Sequence, residues 1–442
     1  MTYDLLLKGG ICLTPAGRVQ TDVAAVDGRV AAIGDLDAGA ADEVIDAAGL
    51  HVLPGVIDTQ VHFREPGNEH KEDLDTGTRA AVLGGVTAIF EMPNTAPPTT
   101  DAAALAAKLD RAAGRAWCDH AFFVGATPEN AETLGDLERR PGCCGVKMFM
   151  GSSTGTLLVP DDDNVRRVLA NGRRRMAVHS EDEARLIERK ALIGAGATAH
   201  MHPEWRDAET ALRATERLTA AARAAGRRIH VLHTTTAEEM ALLAGYRDVA
   251  TVEVTPQHLT LVAPDCYDRL GSLAQMNPPI RDAGHRDALW RAVADGIVDV
   301  VGSDHAPHTL EEKAAAYPAS PSGMPGVQTL VPVLLDHVAA GRLTLERFVD
   351  LTSAGPARIY NIADKGRIAV GHDADFTVVD LAARRTIAND WIASRCGWTP
   401  FDGMAVTGWP VATVIRGRPV MRDDEVLGAP SGAPVRFQET LG

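Results

Sequence analysis

The segment HVLPGVIDTQVHFREPG, residues 51–67, passes from apolar residues into Asp58, Gln60, His62 and Arg64, each two positions from the next. Alternate residues of a strand share a face. Val56, Asp58, Gln60 and His62 are therefore expected on one side, with Gln60 and His62 toward an interior and Ile57, Thr59 and Val61 toward covering helices. Two polar side chains at this spacing are how a strand end holds a metal ion. The carboxamide of Gln60, however, is a poor ligand for zinc compared with imidazole.

The same texture repeats downstream. VTAIFEMPNT leads into DAAALAAKLDRAAGRA, CGVKMFMGSS into DNVRRVLANG, and RMAVHSED into EARLIERKALI. Apolar strands alternating with helices imply parallel strands covered by helices, and this many units predict a closed (β/α)8 TIM barrel over residues 54–362. The flanks read differently, as short strands with turn signals such as Asp27-Gly28. Residues 1–53 and 363–442 are expected to pair into one small β-sandwich domain. No short-period repeat is visible.

The 442 residues are 45% hydrophobic and 23% charged, ordinary for a globular chain. A formal net charge of −15 disfavours nucleic acid or an anionic membrane as partner, so an anionic small-molecule substrate must meet a local patch of Arg and His. The six cysteines are scattered without a CxxC pair, which points away from a disulfide framework or a thiolate zinc site. The start, MTYDLLLKGGICLTPAG, lacks the pattern of a secretory leader, and no run of roughly 18 apolar residues occurs. A cytoplasmic protein is expected.

In a TIM barrel the site sits where strands end. Period two joins Lys147 to Gly145 and Phe149, His179 to Ala177, and His233 to Ile229 and Val231, leaving His230 on the opposite side. Asp304, His305 and His308 follow another apolar strand in VDVVGSDHAPH. Each residue alone has an ordinary explanation: a hydrogen-bonded loop histidine, a helix-capping aspartate, a lysine reaching the barrel mouth. Together at successive strand ends they suit a borderline divalent cation such as zinc.

The ordered landmarks DTQVHFREPG, EMPNT, GVKMFMGSSTG, HSED, HTTT, NPPIR and GSDHAPH resemble the cyclic amidohydrolases, and within them the dihydroorotase family, over nearly the whole chain. The resemblance implies one or two zinc ions held by His62, Lys147, His179, His233 and Asp304, with Gln60 a weak or lost ligand and Lys147 carboxylated. It implies that Asp304 is the catalytic proton acceptor. Arg64, Asn94 and His308 are implied to bind a substrate carboxylate, and Asn277, Pro325 and Gly326 to contact the ring. Arg281 is expected to pair only with a helix carboxylate, Asp282 or Asp287. The implied reaction is reversible hydrolysis of a cyclic amide. The alternatives are a non-catalytic scaffold for aspartate transcarbamoylase, or an amidase acting on allantoin or a hydantoin. Arg64 favours the carboxylate-bearing ring, and the otherwise complete ligand set favours an active enzyme. A homo-oligomer, such as a dimer, is expected. LEEKAAAYPASPSG, residues 310–323, reads either as a mobile loop over the site or as a surface connection.

Overall fold

The computed structural model describes residues 2–153 and 156–441; the last two residues of the GVKMFMGSSTG landmark lie outside them. Strands β1 (Tyr3–Thr14), β2 (Gly17–Val26), β3 (Arg29–Gly34), β4 (Ala41–Asp46) and β5 (His51–Pro54) lead into the barrel. The barrel strands are β6 (Val56–Val61), β7 (Val86–Glu91), β8 (Asp119–Gly125), β9 (Cys143–Phe149), β10 (Met176–His179), β11 (Ile229–Val231), β12 (Ala250–Val254) and β13 (Val300–Val301). After it come β14 (Phe376–Thr386), β15 (Ala405–Ile415), β16 (Arg418–Arg422) and β17 (Glu425–Val426).

β6 to β13 lie side by side in chain order, all parallel. The ring closes where Val61 bridges His305 and His62 N–H donates to the His305 carbonyl at 2.7 Å. This is the predicted (β/α)8 TIM barrel. Aspartates and threonines start the helices: Asp73, Asp101, Asp161, Asp182, Asp207, Thr236 and Asp282 each accept an N-terminal backbone N–H. Capping fixes where each loop turns back into a helix, and so where each strand end opens into the mouth.

The core has two layers at the barrel wall. Val56, Val61, Ile89, Val124, Val146, Met148 and Val178 pack outward with helix residues such as Leu74, Leu105 and Leu218. Ile57, Ala88, Phe90, Ala121, Phe123 and Ala177 fill the inside near the floor, where Tyr360, Val435 and Phe437 join them.

This layering corrects the strict alternation expected for two strands. In β6 the pairing with β7 slips between Asp58 and Val61, so Ile57 and Thr59 face inward while Val56 and Val61 face the helices. Gln60 and His62 still reach the interior, because the extra residue of a bulge resets the alternation. In β11, Ile229 and Val231 pack outward and His230 points inward, 2.8 Å from Thr251 Oγ1. His233 enters the site after the strand has ended, through a left-handed backbone with φ 37°.

The flanking segments form one continuous nine-stranded sheet, β17-β16-β15-β14-β5-β1-β2-β3 with β4 beside β1. Leu5, Leu7, Val23, Ala25, Val52, Phe376, Val378 and Val414 share its core. Buried Lys365 joins this sheet to the barrel, 2.8 Å from Asp119, 2.5 Å from Asp375 and 3.1 Å from Asp373. Parts of the C-terminal region leave the sheet: Phe437 lies under the barrel against Phe90, and Trp398 donates to the His308 carbonyl at 2.8 Å. No helix among the described residues is long and apolar enough to cross a membrane.

Candidate active site

Lys147 stands at the inward end of β9 with no side-chain exposure and, among the described residues, no hydrogen-bond partner for its Nζ, which lies 4.5 Å from the centre of the Phe149 ring. Burial pulls this amine from 10.5 to about 7, outweighing the carboxylates of Asp304 and Glu253. In its charged form the same amine depresses His62, His179 and His233 together, which places it among all three imidazoles.

His179 Nδ1 lies 3.1 Å from His233 Nε2. On its other side, His179 Nε2 is 2.9 Å from Glu181 Oε2, close enough for an ion pair but outside hydrogen-bond geometry. Glu181 is buried and gripped by Arg206, whose Nε lies 3.1 and 3.2 Å from its two oxygens. By its charge the nearby carboxylate favours the ring proton on Nε2, which leaves the Nδ1 lone pair facing His233. Burial keeps both imidazoles below the ordinary range and hence neutral, the form that binds metals.

On the facing wall, Asp304 Oδ1 is 3.3 Å from His62 Nε2 and accepts from Gln60 Nε2 at 3.1 Å. His62 Nδ1 is 2.8 Å from Asn94 Oδ1, so the proton sits on Nδ1 and Nε2 presents a lone pair to the carboxylate. Two acceptors at that distance call for a proton or a cation between them. The Gln60 Oε1 atom is buried without a partner. Arg64, His233 and Asp304 all hold positive φ, at 63°, 37° and 45°. Such backbone strain in non-glycine residues gathers at functional sites.

Arg64 is buried, its Nε donating to Pro307 O at 3.1 Å and its Nη2 3.3 Å from His308 Nε2. Asn277 Oδ1 is 2.9 Å from His202 Nε2. One small cavity is lined by Gln60, His62, Arg64, Asn94, Lys147, His179, His233, Asn277 and Asp304, with Phe149, Ser153, Ala306, Ser322 and Gly323 completing the wall. Among the described residues, His308, Pro325 and Gly326 are not in that lining; the Gly326 N–H is already donated to His305 Nδ1 at 3.1 Å.

Among the described residues Arg281 has no carboxylate within ion-pair distance. It donates to Thr235 Oγ1 at 3.3 Å, to Asp207 O at 3.4 Å and to the Arg206 carbonyl, while Asp282 caps a helix and Asp287 pairs with Arg286. A buried guanidinium satisfies its five donors more readily with loop carbonyls than by drawing in a second charge. Segment 310–323 is clipped to the barrel: Lys313 Nζ donates to the carbonyls of Gln275, Pro321 and Gly323 at 3.1, 2.8 and 3.0 Å.

Neither period nor motif marks Arg206 or Glu253, and Glu181, inside the HSED landmark, is given no role by it. Glu253 lies inward on β12, accepts from Thr59 Oγ1 at 2.9 Å, and is pushed by burial up to about 8. The only trace in the sequence is an acidic residue inside the apolar run TVEVTP.

No three His, Cys, Asp or Glu side chains among the described residues stand as a set that could hold a metal ion. The donors are split into the His179–His233 pair and the His62–Asp304 pair, with the unpartnered lysine placed among them.

A barrel of this topology with imidazole, lysine and carboxylate at its strand ends is the architecture of a metal-dependent hydrolase, and the amidohydrolase family model matches residues 51–420: the chain belongs to the amidohydrolase family. Along 435 residues it is 40% identical to a dihydroorotase of Halobacterium salinarum, covering 95% of this chain and all of that one. It is 36% identical to an allantoinase of Rubrobacter xylanophilus, over all of this chain and 99% of the other. Among solved structures, the L-hydantoinase (dihydropyrimidinase) of Arthrobacter aurescens superposes with a TM-score of 0.92 at 29% identity, covering 98% of this chain and all of that one. The chain is thus an enzyme of the cyclic amidohydrolase kind, and metal dependence is general in that group.

Proposed function

We propose that this enzyme interconverts L-dihydroorotate and N-carbamoyl-L-aspartate, the dihydroorotase reaction of de novo pyrimidine biosynthesis. The observation that carries this reading is the buried guanidinium of Arg64 in the wall of a cavity that also holds Lys147, the imidazoles and Asp304. A buried cation with a planar fork is matched to a carboxylate. Dihydroorotate carries one; allantoin and hydantoin do not.

The donors fit a divalent cation. Among the described residues, Lys147 Nζ, Gln60 Oε1 and His233 Nδ1 are buried without hydrogen-bond partners, and two neutral imidazoles converge. Lys147, His179 and His233 would hold one ion such as zinc. The neutral amine of Lys147 would add carbon dioxide and lose a proton to become a carbamate with two donor oxygens. His62 and Asp304 would complete a second position, at which Gln60 offers only an amide. Bound there, the cation supplies acidification of water and polarisation of the ring carbonyl. Asp304, steadied by Gln60 Nε2, takes the proton of the attacking water and passes it to the leaving ring nitrogen. Arg64 anchors the carboxylate and so fixes which ring carbonyl faces Asp304.

A scaffold bound to aspartate transcarbamoylase would have no need of a donor set complete but for Gln60, which favours catalysis. A cytoplasmic homo-oligomer belongs to the same reading, as does the division of the chain at residues 53 and 362, which the two separate sheets support.

The test is turnover of L-dihydroorotate, allantoin and hydantoin by one preparation of known metal content; fastest opening of a neutral ring would overturn the assignment. Arg64→Gln is expected to raise KM for dihydroorotate by roughly 10- to 100-fold, the worth of a charge-assisted bond, and to leave hydantoin opening nearly unchanged. Gln60→His is expected to raise bound zinc from about one to about two ions per chain by elemental analysis, since imidazole restores the missing nitrogen donor. An unchanged ratio would show that Gln60 is not what limits the second position.

A further inference from the structure

His308 lies just behind Arg64, and its two ring nitrogens have different neighbours. Nδ1 is 3.2 Å from Lys71 Nζ. Nε2 is 3.1 Å from the Ser322 carbonyl oxygen and 3.3 Å from Arg64 Nη2. An ammonium only donates, so the ring must accept at Nδ1. A neutral imidazole that accepts at Nδ1 carries its proton on Nε2, where the Ser322 carbonyl receives it. Burial and the nearby Arg64, Lys71 and Lys313 keep this ring neutral.

This tautomer has a consequence for Arg64. Nε2–H and the Arg64 Nη2–H are both donors, so their approach is not a hydrogen bond. The guanidinium hydrogen is left for another acceptor, and Arg64 lines the cavity. In the opposite tautomer Nε2 would carry a lone pair, Arg64 would donate to it, and the Ser322 carbonyl would lose its donor.

The balance is set by groups outside the cavity. Lys71 Nζ lies 3.0 Å from Glu312 Oε1, and Glu312 is fixed by a reciprocal cap with Thr309 at the start of helix Leu310–Lys313. Glu312 Oε2 is itself 3.6 Å from His308 Nδ1. A carboxylate only accepts, so without Lys71 it would draw the proton to Nδ1. Lys71 therefore stands between a carboxylate and an imidazole and decides which nitrogen keeps the hydrogen.

We propose that Lys71 is a positioning residue that holds His308 in its Nε2–H tautomer and thereby reserves the Arg64 guanidinium for the carboxylate of an anionic ring substrate. The inference rests on the dihydroorotate reading of the site, which it deepens.

The test uses the full-length, metal-loaded enzyme and its Lys71→Met and Lys71→Gln variants. KM and kcat are measured for dihydroorotate and for the neutral ring dihydrouracil, and the tautomer of His308 is read from imidazole ¹⁵N shifts assigned with His308→Gln. Methionine is expected to raise KM for dihydroorotate about tenfold, with kcat within about twofold and the neutral ring unaffected, because only binding of the charged end is lost. The protonated nitrogen should change from Nε2 to Nδ1. Glutamine, whose amide still donates to Nδ1, should restore both. An unchanged tautomer in the methionine variant overturns the proposal, as does an equal loss on both rings. A wild-type enzyme inert toward dihydroorotate sinks the functional reading separately, since the ¹⁵N comparison reports on the tautomer whatever the ring.

Discussion

Lys147→Ala is expected to leave a folded protein with neither tightly bound zinc nor measurable turnover of dihydroorotate. The amine is buried among His62, His179 and His233 with no hydrogen-bond partner among the described residues, and in the proposed reading its use begins when it carries an anionic carbamate. Loss of metal assistance costs several kcal/mol, on the order of 10³-fold or more in rate. Lys147→Met separates chemistry from packing. It keeps an unbranched apolar stem of similar length against Phe149 and removes the orphan amine, so its metal-free melting temperature should equal or exceed that of the parent. Retained zinc in both variants would refute Lys147 as a metal-holding group.

The pH dependence of loading follows from the same amine. Its pKa is lowered to about 7, so it is charged below that pH and neutral above it. Only the neutral amine adds carbon dioxide. Metal-stripped protein given zinc and bicarbonate should regain activity faster at pH 8 than at pH 6, where roughly a tenth of the amine is neutral. Equal rates at the two pH values would separate loading from this group.

Asp304→Asn is expected to lower kcat by roughly 10²- to 10⁴-fold, the usual share of a positioned proton acceptor, with KM little changed. The substitution is nearly isosteric, and Gln60 Nε2 can still donate to the amide oxygen, so the loop and its φ of 45° should persist. Metal content measured on the same sample distinguishes loss of the proton carrier from loss of the ion. A fall in kcat smaller than about tenfold would remove Asp304 from the proton path.

The sequence carried the barrel because its information is local. Apolar runs such as VTAIF and MAVH, each closed by polar residues and a capped helix, are written over stretches of ten to twenty residues. Lys147 and His179 face the cavity as alternation predicts, since β10 is regular and Gly145 and Lys147 keep the inward face of β9.

Tertiary structure decided what depends on bonds between distant segments. The bulge in β6 reversed the facing of Ile57 and Thr59, and the early end of β11 let His233 turn into the site while His230, within the strand, faces inward against Thr251. Neither follows from period two, because a bulge is set by the neighbouring strand's register. Glu253 against Thr59, and Lys71 between Glu312 and His308, are charges far along the chain from groups they meet, and Glu181, only two residues past His179, is gripped by the more distant Arg206. Sequence alone determined which chemical groups this protein owns and that strand ends would gather them. Only the fold decided which nitrogen holds each proton and which donors remain for the substrate, because those depend on ångström-scale neighbours contributed by strands and loops far apart in the chain.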